Sequence, residues 1–234
     1  MSTVHDADAS VTSVRVVLLP ELGSQVHRFG RSERLLHWWV VVMYSLALLT
    51  GVAMGNEAES GPLLQSHIAA VVLIGAGILI VLLFGDTMAV LRSAKNLLIF
   101  DRTDVAWVVM LVKHPFNRDH FSWGKFNLGQ KVLAWSLLGS LAGLIVTGIN
   151  SWSTGGETSG PHSVAVIVSL VLIGAHVFMA LLNPSTRPAL PGMIFGHVSR
   201  SWATQHHGGW LAAQDMKDAK KRRSTTLPSN AHRR

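Results

Sequence analysis

The stretch His162-Ser-Val-Ala-Val-Ile-Val-Ser-Leu-Val-Leu-Ile-Gly-Ala-His176-Val-Phe-Met-Ala-Leu-Leu182 contains no Asp, Glu, Lys or Arg. As a helix rising 1.5 Å per residue it reaches about 30 Å, the thickness of a bilayer's hydrocarbon core. Three more runs share its length and its lack of charge: Leu35–Met54, Gln65–Phe84 and Val132–Ile149. In hydrocarbon each backbone polar group needs a partner within the segment, so each run is read as a helix. The expected fold is an all-α integral membrane protein, a bundle of four transmembrane helices. Charged residues make up 14% of the 234, well below the ~25% of soluble domains.

The charges that remain set the orientation. All 20 Lys and Arg fall within 15–34, 92–131 and 187–234, while the loops 55–64 and 150–161 carry none and hold Glu57, Glu59 and Glu157. This is the positive-inside pattern. It places both termini and the 85–131 loop in the cytoplasm and the two short loops outside. The net charge of +7 then reads as topology and contact with anionic lipid headgroups, not as nucleic-acid binding.

Four histidines interrupt the apolar runs: His37, His67, His162 and His176. An ionisable side chain in hydrocarbon is costly and marks a functional site by default. The helices alternate in direction. His37 therefore lies near the inner face, and His67 and His162 near the outer face. His176, fourteen residues beyond His162, lies about 21 Å deeper and close to the same helix face. Two pairs follow, His67 with His162 outside and His37 with His176 inside, each drawn from two helices. A histidine on either side of an iron is a six-coordinate haem site suited to electron transfer. A proton relay would need no matched pair at each depth. The chain has no cysteine, which excludes disulfides, iron–sulfur clusters and covalently attached haem. The expected cofactors are two non-covalent b-type haems.

The remaining segments are read more simply. Residues 1–34 form a cytoplasmic leader, 35–182 the dihaem domain, 183–216 a membrane-surface segment and 217–234 a basic disordered tail. Met88–Leu98 and Val105–Val112 are too short to span and read as interfacial helices. Gly51 and Gly55 read as small residues that allow close helix packing. The histidines outside the spans, His206 and His207 among them, read as solvated or in contact with headgroups.

Four elements resemble one family. They are Glu33-Arg34-Leu35-Leu36-His37-Trp38, Phe126-Asn127-Leu128-Gly129-Gln130-Lys131, His162 with His176, and Gly192-Met193-Ile194-Phe195-Gly196-His197-Val198-Ser199-Arg200 with Trp202-Ala203 and His206-His207. Over nearly all of 28–212 the chain is similar to the cytochrome b (gamma) subunit of membrane-bound, quinone-reducing formate dehydrogenases. The resemblance implies haem ligation by His37, His67, His162 and His176. It also implies a menaquinone or ubiquinone site beside the inner haem, contacted by Asn127 and Gly129. Leu128 stands where a small alanine is usual. Lys131 and Lys125 are candidates to assist protonation. The implied partners are an iron–sulfur (beta) subunit and a molybdenum- or tungsten-pterin catalytic (alpha) subunit, in a bacterial inner membrane. Alternatives are the cytochrome b of a hydrogenase or thiosulfate reductase, and a haem-free transporter with a histidine proton path.

Overall fold

Each apolar run is helical, and each helix begins about one turn before its run. In the computed structural model, which describes residues 24–55, 61–113, 124–155 and 159–226, the four long helices are α1 Arg31–Met54, α2 Gly61–Phe84, α5 Leu128–Ser153 and α6 Ser159–Val177. The last continues through one wider turn, Phe178–Leu182. All four are long and apolar enough to cross a membrane. Two of the added N-terminal turns, Arg31–Arg34 and Leu128–Lys131, carry charged residues, as fits headgroup depth. α1 and α5 end at Gly55 and Gly155, whose φ angles of 57° and 61° cost a glycine little. The acidic residues Glu57, Glu59 and Glu157, together with His114 and His120 and the leader before Ser24, lie outside the described residues.

Shorter elements complete the order: β1 Gln25–His27, α3 Thr87–Leu98, α4 Arg102–Lys113, a short helix α7 Leu190–Ile194, β2 His197–Ser199 and α8 Arg200–Thr226. The two strands pair in a small sheet. The helical segment α8, kinked at His207 where φ is −141° and ψ 39°, runs to Thr226, past residue 217 where the composition suggests that order ends. Its last turns are rich in Ala, Lys and Arg, all good helix formers.

The chain divides into two compact units. One comprises His27–Ile99 and Gly129–Val198 and contains all four spans. Its apolar side chains face outward: Val72 is 63% exposed, Val146 66% and Val171 67%. A soluble protein could not leave such faces bare, but lipid covers them at no cost. The spans α1 and α2 pack closely along their lengths. There the Trp39 indole lies on Gly77 and donates to the Leu73 carbonyl at 2.7 Å.

Within the same unit α3 is tied down at both ends. Asp86 caps its start by accepting from the Ala89 N–H at 3.0 Å, and Ser32 of α1 accepts from the Asp86 N–H at 2.8 Å. At its far end Lys131 donates to the Ile99 carbonyl at 3.0 Å and Trp135 to the Leu98 carbonyl at 2.9 Å. A cation there also meets the negative end of the helix dipole. Arg28 is buried 5.6 Å from the centre of the Phe29 ring, and loss of solvent lowers its pKa to about 9.

The other unit holds Phe100–Leu128 and the segment from Ser199, with the chain start. Its core includes Phe126, Trp202, Ala203 and Leu211.

Candidate haem-ligating histidine pairs

The helices bring the four span histidines together two by two. His37 on α1 faces His176 on α6, with ring centroids 6.1 Å apart and planes at 57°. His67 on α2 faces His162 on α6, at 6.3 Å and 84°. All four side chains are half-buried. Midway along α6 between its two histidines, the Ser169 hydroxyl lies 2.7 Å from the Tyr44 hydroxyl of α1.

This spacing suits two imidazoles with a metal between them. A ring centroid lies about 1.1 Å behind its nitrogen, and a nitrogen–metal bond is about 2 Å, so centroids on opposite sides of one ion stand about 6 Å apart. Direct helix packing separates axes by only ~8–10 Å, too little for that stack. Accordingly α6 stands off from α1 and α2 instead of packing against them as they do against each other. A groove of about 500 Å³ also opens between α5 and α6, lined by Gly139, Ser140, Gly143, Ala165, Val168 and Leu172.

The donor set narrows the choice of metal group. Each pair offers two nitrogens, and among the described residues no cluster of three or more His, Cys, Asp or Glu could hold a bare ion. A zinc site needs three or four protein ligands. A haem brings its own equatorial nitrogens and asks the protein for two axial ones. The residues present therefore fit haem, which His37 with His176 and His67 with His162 would hold.

The surroundings of the two pairs differ. His67 Nδ1 lies 2.8 Å from the Ala47 carbonyl and 3.5 Å from Thr50 Oγ1. A carbonyl only accepts, so Nδ1 carries the proton and Nε2 keeps the lone pair. His162 repeats the arrangement: Nδ1 is 3.1 Å from Thr147 Oγ1, and the ring also hydrogen-bonds the Leu144 backbone. A Cβ added to Gly51 would lie 3.4 Å from the His67 ring, and one added to Gly148 would lie 3.2 Å from His162. Thus Thr50-Gly51 and Thr147-Gly148 form matching seats. The sequence alone reads Gly51 as generic packing and gives the threonines no role. The signal was there, a Thr-Gly step late in the span that precedes each histidine's own. At the other pair, the His37 ring meets Trp38 edge-on at 5.3 Å, and Trp38 is held by its 3.1 Å bond to the Met193 carbonyl.

Asn127 directly precedes α5 and is half-buried, while Gly129 is exposed in the first turn. They belong to different compact units. His207 departs from the expectation of a solvated residue. It is 1% exposed, bonds the Gly124 carbonyl through Nδ1 at 2.9 Å and packs on Trp202 at 5.0 Å. An aromatic neighbour and a carbonyl acceptor together make that burial affordable.

Four apolar spans with histidines paired near both ends define a membrane cytochrome b class. The chain belongs to the prokaryotic cytochrome b561 family, whose model matches residues 28–196. It is similar to the nitrate-inducible formate dehydrogenase cytochrome b556(Fdn) subunit of Escherichia coli K12, at 27% identity over 212 residues, covering 81% of this chain and 91% of the relative. The formate dehydrogenase cytochrome b556 subunit of Haemophilus influenzae is 28% identical over 202 residues, covering 80% and 82%. The cytochrome b556(fdo) subunit of Escherichia coli K12 is 25% identical over 201 residues, covering 78% and 90%.

Tyr44→Phe removes one hydrogen bond within the spans and is expected to cost about 1 kcal/mol of stability. A fall of a few degrees in detergent melting temperature, with haem content unchanged, is the expected measurement.

Proposed function

We propose that this chain is the dihaem cytochrome b membrane subunit of a formate dehydrogenase, passing electrons from an iron–sulfur subunit to quinone. The observation that carries the reading is the pair of histidine couples, 6.1 and 6.3 Å apart, at the two ends of the spans. Two bis-histidine b haems supply one-electron carriers with no open position for oxygen. The chain's own part is to hold the four imidazoles at two depths and to keep water out between them. The distribution of Lys and Arg supports cytoplasmic termini. It therefore supports an outer His67/His162 site and an inner His37/His176 site in the bacterial inner membrane. Formate would be oxidised by a separate molybdenum- or tungsten-pterin subunit, and menaquinone or ubiquinone reduced at the cytoplasmic end with protons from inside. Likeness of the Phe126–Lys131 element to the family supports Asn127 and Gly129 as quinone contacts.

Purified protein is expected to carry two haem b per chain by pyridine haemochrome assay. Formate is expected to reduce both when the chain is isolated with its co-purifying subunits. Protein without haem, purified from haem-sufficient cells, would overturn the reading. Reduction by hydrogen but not by formate would reassign the complex.

A further inference from the structure

The four histidines are alike in burial and unlike in what lies behind them. His67 and His162 each give the Nδ1 proton to an acceptor on the neighbouring span, the Ala47 carbonyl at 2.8 Å and Thr147 Oγ1 at 3.1 Å. Thr147 is able to accept because its own proton goes to the Gly143 carbonyl at 2.6 Å. Among the described residues neither His37 nor His176 makes a ring hydrogen bond. An imidazole that donates its second proton is a more basic ligand. It stabilises ferric over ferrous iron and lowers the site's reduction potential.

We propose that these Nδ1 hydrogen bonds set the His67/His162 haem at a lower potential than the His37/His176 haem, with Thr147 as a positioning residue for His162. This rests on the dihaem reading above. The step between the sites is a one-electron exchange: iron at the first goes from ferrous to ferric and iron at the second from ferric to ferrous. No bond forms or breaks. An iron–sulfur donor refills the first site and a quinone empties the second. The slope favours travel from the His67/His162 end, so the ligand surroundings and the proposed direction of flow agree. Gly148 belongs to the same device, since a Cβ there would stand 3.2 Å from the His162 ring and press on it, whereas one at Gly51 would make only ordinary contact with His67 at 3.4 Å.

A potentiometric titration of the full-length protein, followed in the haem absorption bands, tests this. Two one-electron waves are expected, and the His67→Ala variant is expected to lose the lower one. Thr147→Val keeps the shape and removes the hydroxyl acceptor, leaving the ring only its bond to the Leu144 backbone. It is expected to raise only the lower wave, by about a tenfold change in the oxidation equilibrium, which is about 59 mV for one electron. Thr147→Ser is expected to restore it. Loss of the higher wave in His67→Ala would overturn the ordering. A Thr147→Val variant that retains both haems with unchanged potentials would overturn the role of Thr147. If Thr147→Val does not accumulate, comparing His67→Ala with His37→Ala still decides the ordering. Fewer than two haems in the unaltered protein would instead count against the dihaem reading itself.

Discussion

His176→Ala is expected to leave one haem per chain where the unaltered protein is expected to hold two, and to reduce quinone reduction by formate more than about 100-fold. The size follows from ligand chemistry. Loss of a group that merely supports a metal ligand costs 10–100-fold in affinity or activity, and His176 is itself proposed as a ligand, its ring 6.1 Å from that of His37. Alanine supplies no donor, and Ser169, two turns away on the same helix, is already bonded to Tyr44. The other pair is expected to survive because it shares only the α6 scaffold. His67→Ala is expected to give the complementary result, one haem with the remaining spectrum and potential of the His37/His176 site. Haem content, optical spectra and activity together check the prediction. Two haems retained in both variants would break the ligand assignment while leaving the fold untouched.

The second large effect is structural. Gly77→Ala places a methyl carbon 2.1 Å from Trp39 Nε1 and 2.2 Å from Cδ1, well inside van der Waals contact. The indole cannot simply swing aside, because its Nε1–H is held by the Leu73 carbonyl at 2.7 Å, and in hydrocarbon an abandoned donor finds no water. Either α1 and α2 part or that bond breaks. Overpacking of this kind costs about 1–3 kcal/mol. The expected result is a clear drop in detergent melting temperature, with weakened haem retention at His37, two residues from Trp39. The double variant Gly77→Ala with Trp39→Leu is expected to recover much of the loss, since the smaller side chain clears the methyl group. Equal stability of Gly77→Ala and the unaltered protein would show that the Trp39–Gly77 contact does not hold the two spans.

Parts of the candidate site were readable without coordinates. The depth of His162 against His176 follows from a fixed helical rise, and alternating spans turn depth into pairs. Lys131 was not readable in this way. In sequence it sits beside Asn127 and Gly129 and invites a role in protonation, whereas in space its ammonium reaches the Ile99 carbonyl and secures the end of α3. A side chain that long finds its partner in tertiary structure, not in its neighbours. His207 is a similar case, because its acceptor, the Gly124 carbonyl, lies far off along the chain.

The sequence by itself determined the four spans, the absence of thiolate chemistry and the matching of histidines by depth. Each follows from a one-dimensional quantity: run length against hydrocarbon thickness, composition, or rise per residue. Only the tertiary structure decided that α1 and α2 close on each other through Trp39 and Gly77 while α6 stands off, and that Thr50-Gly51 and Thr147-Gly148 face His67 and His162. These depend on the rotation of each helix about its axis and on helix separation. Packing settles both, to within the few tenths of an ångström that a hydrogen bond or a missing Cβ requires, and hydropathy carries no record of either.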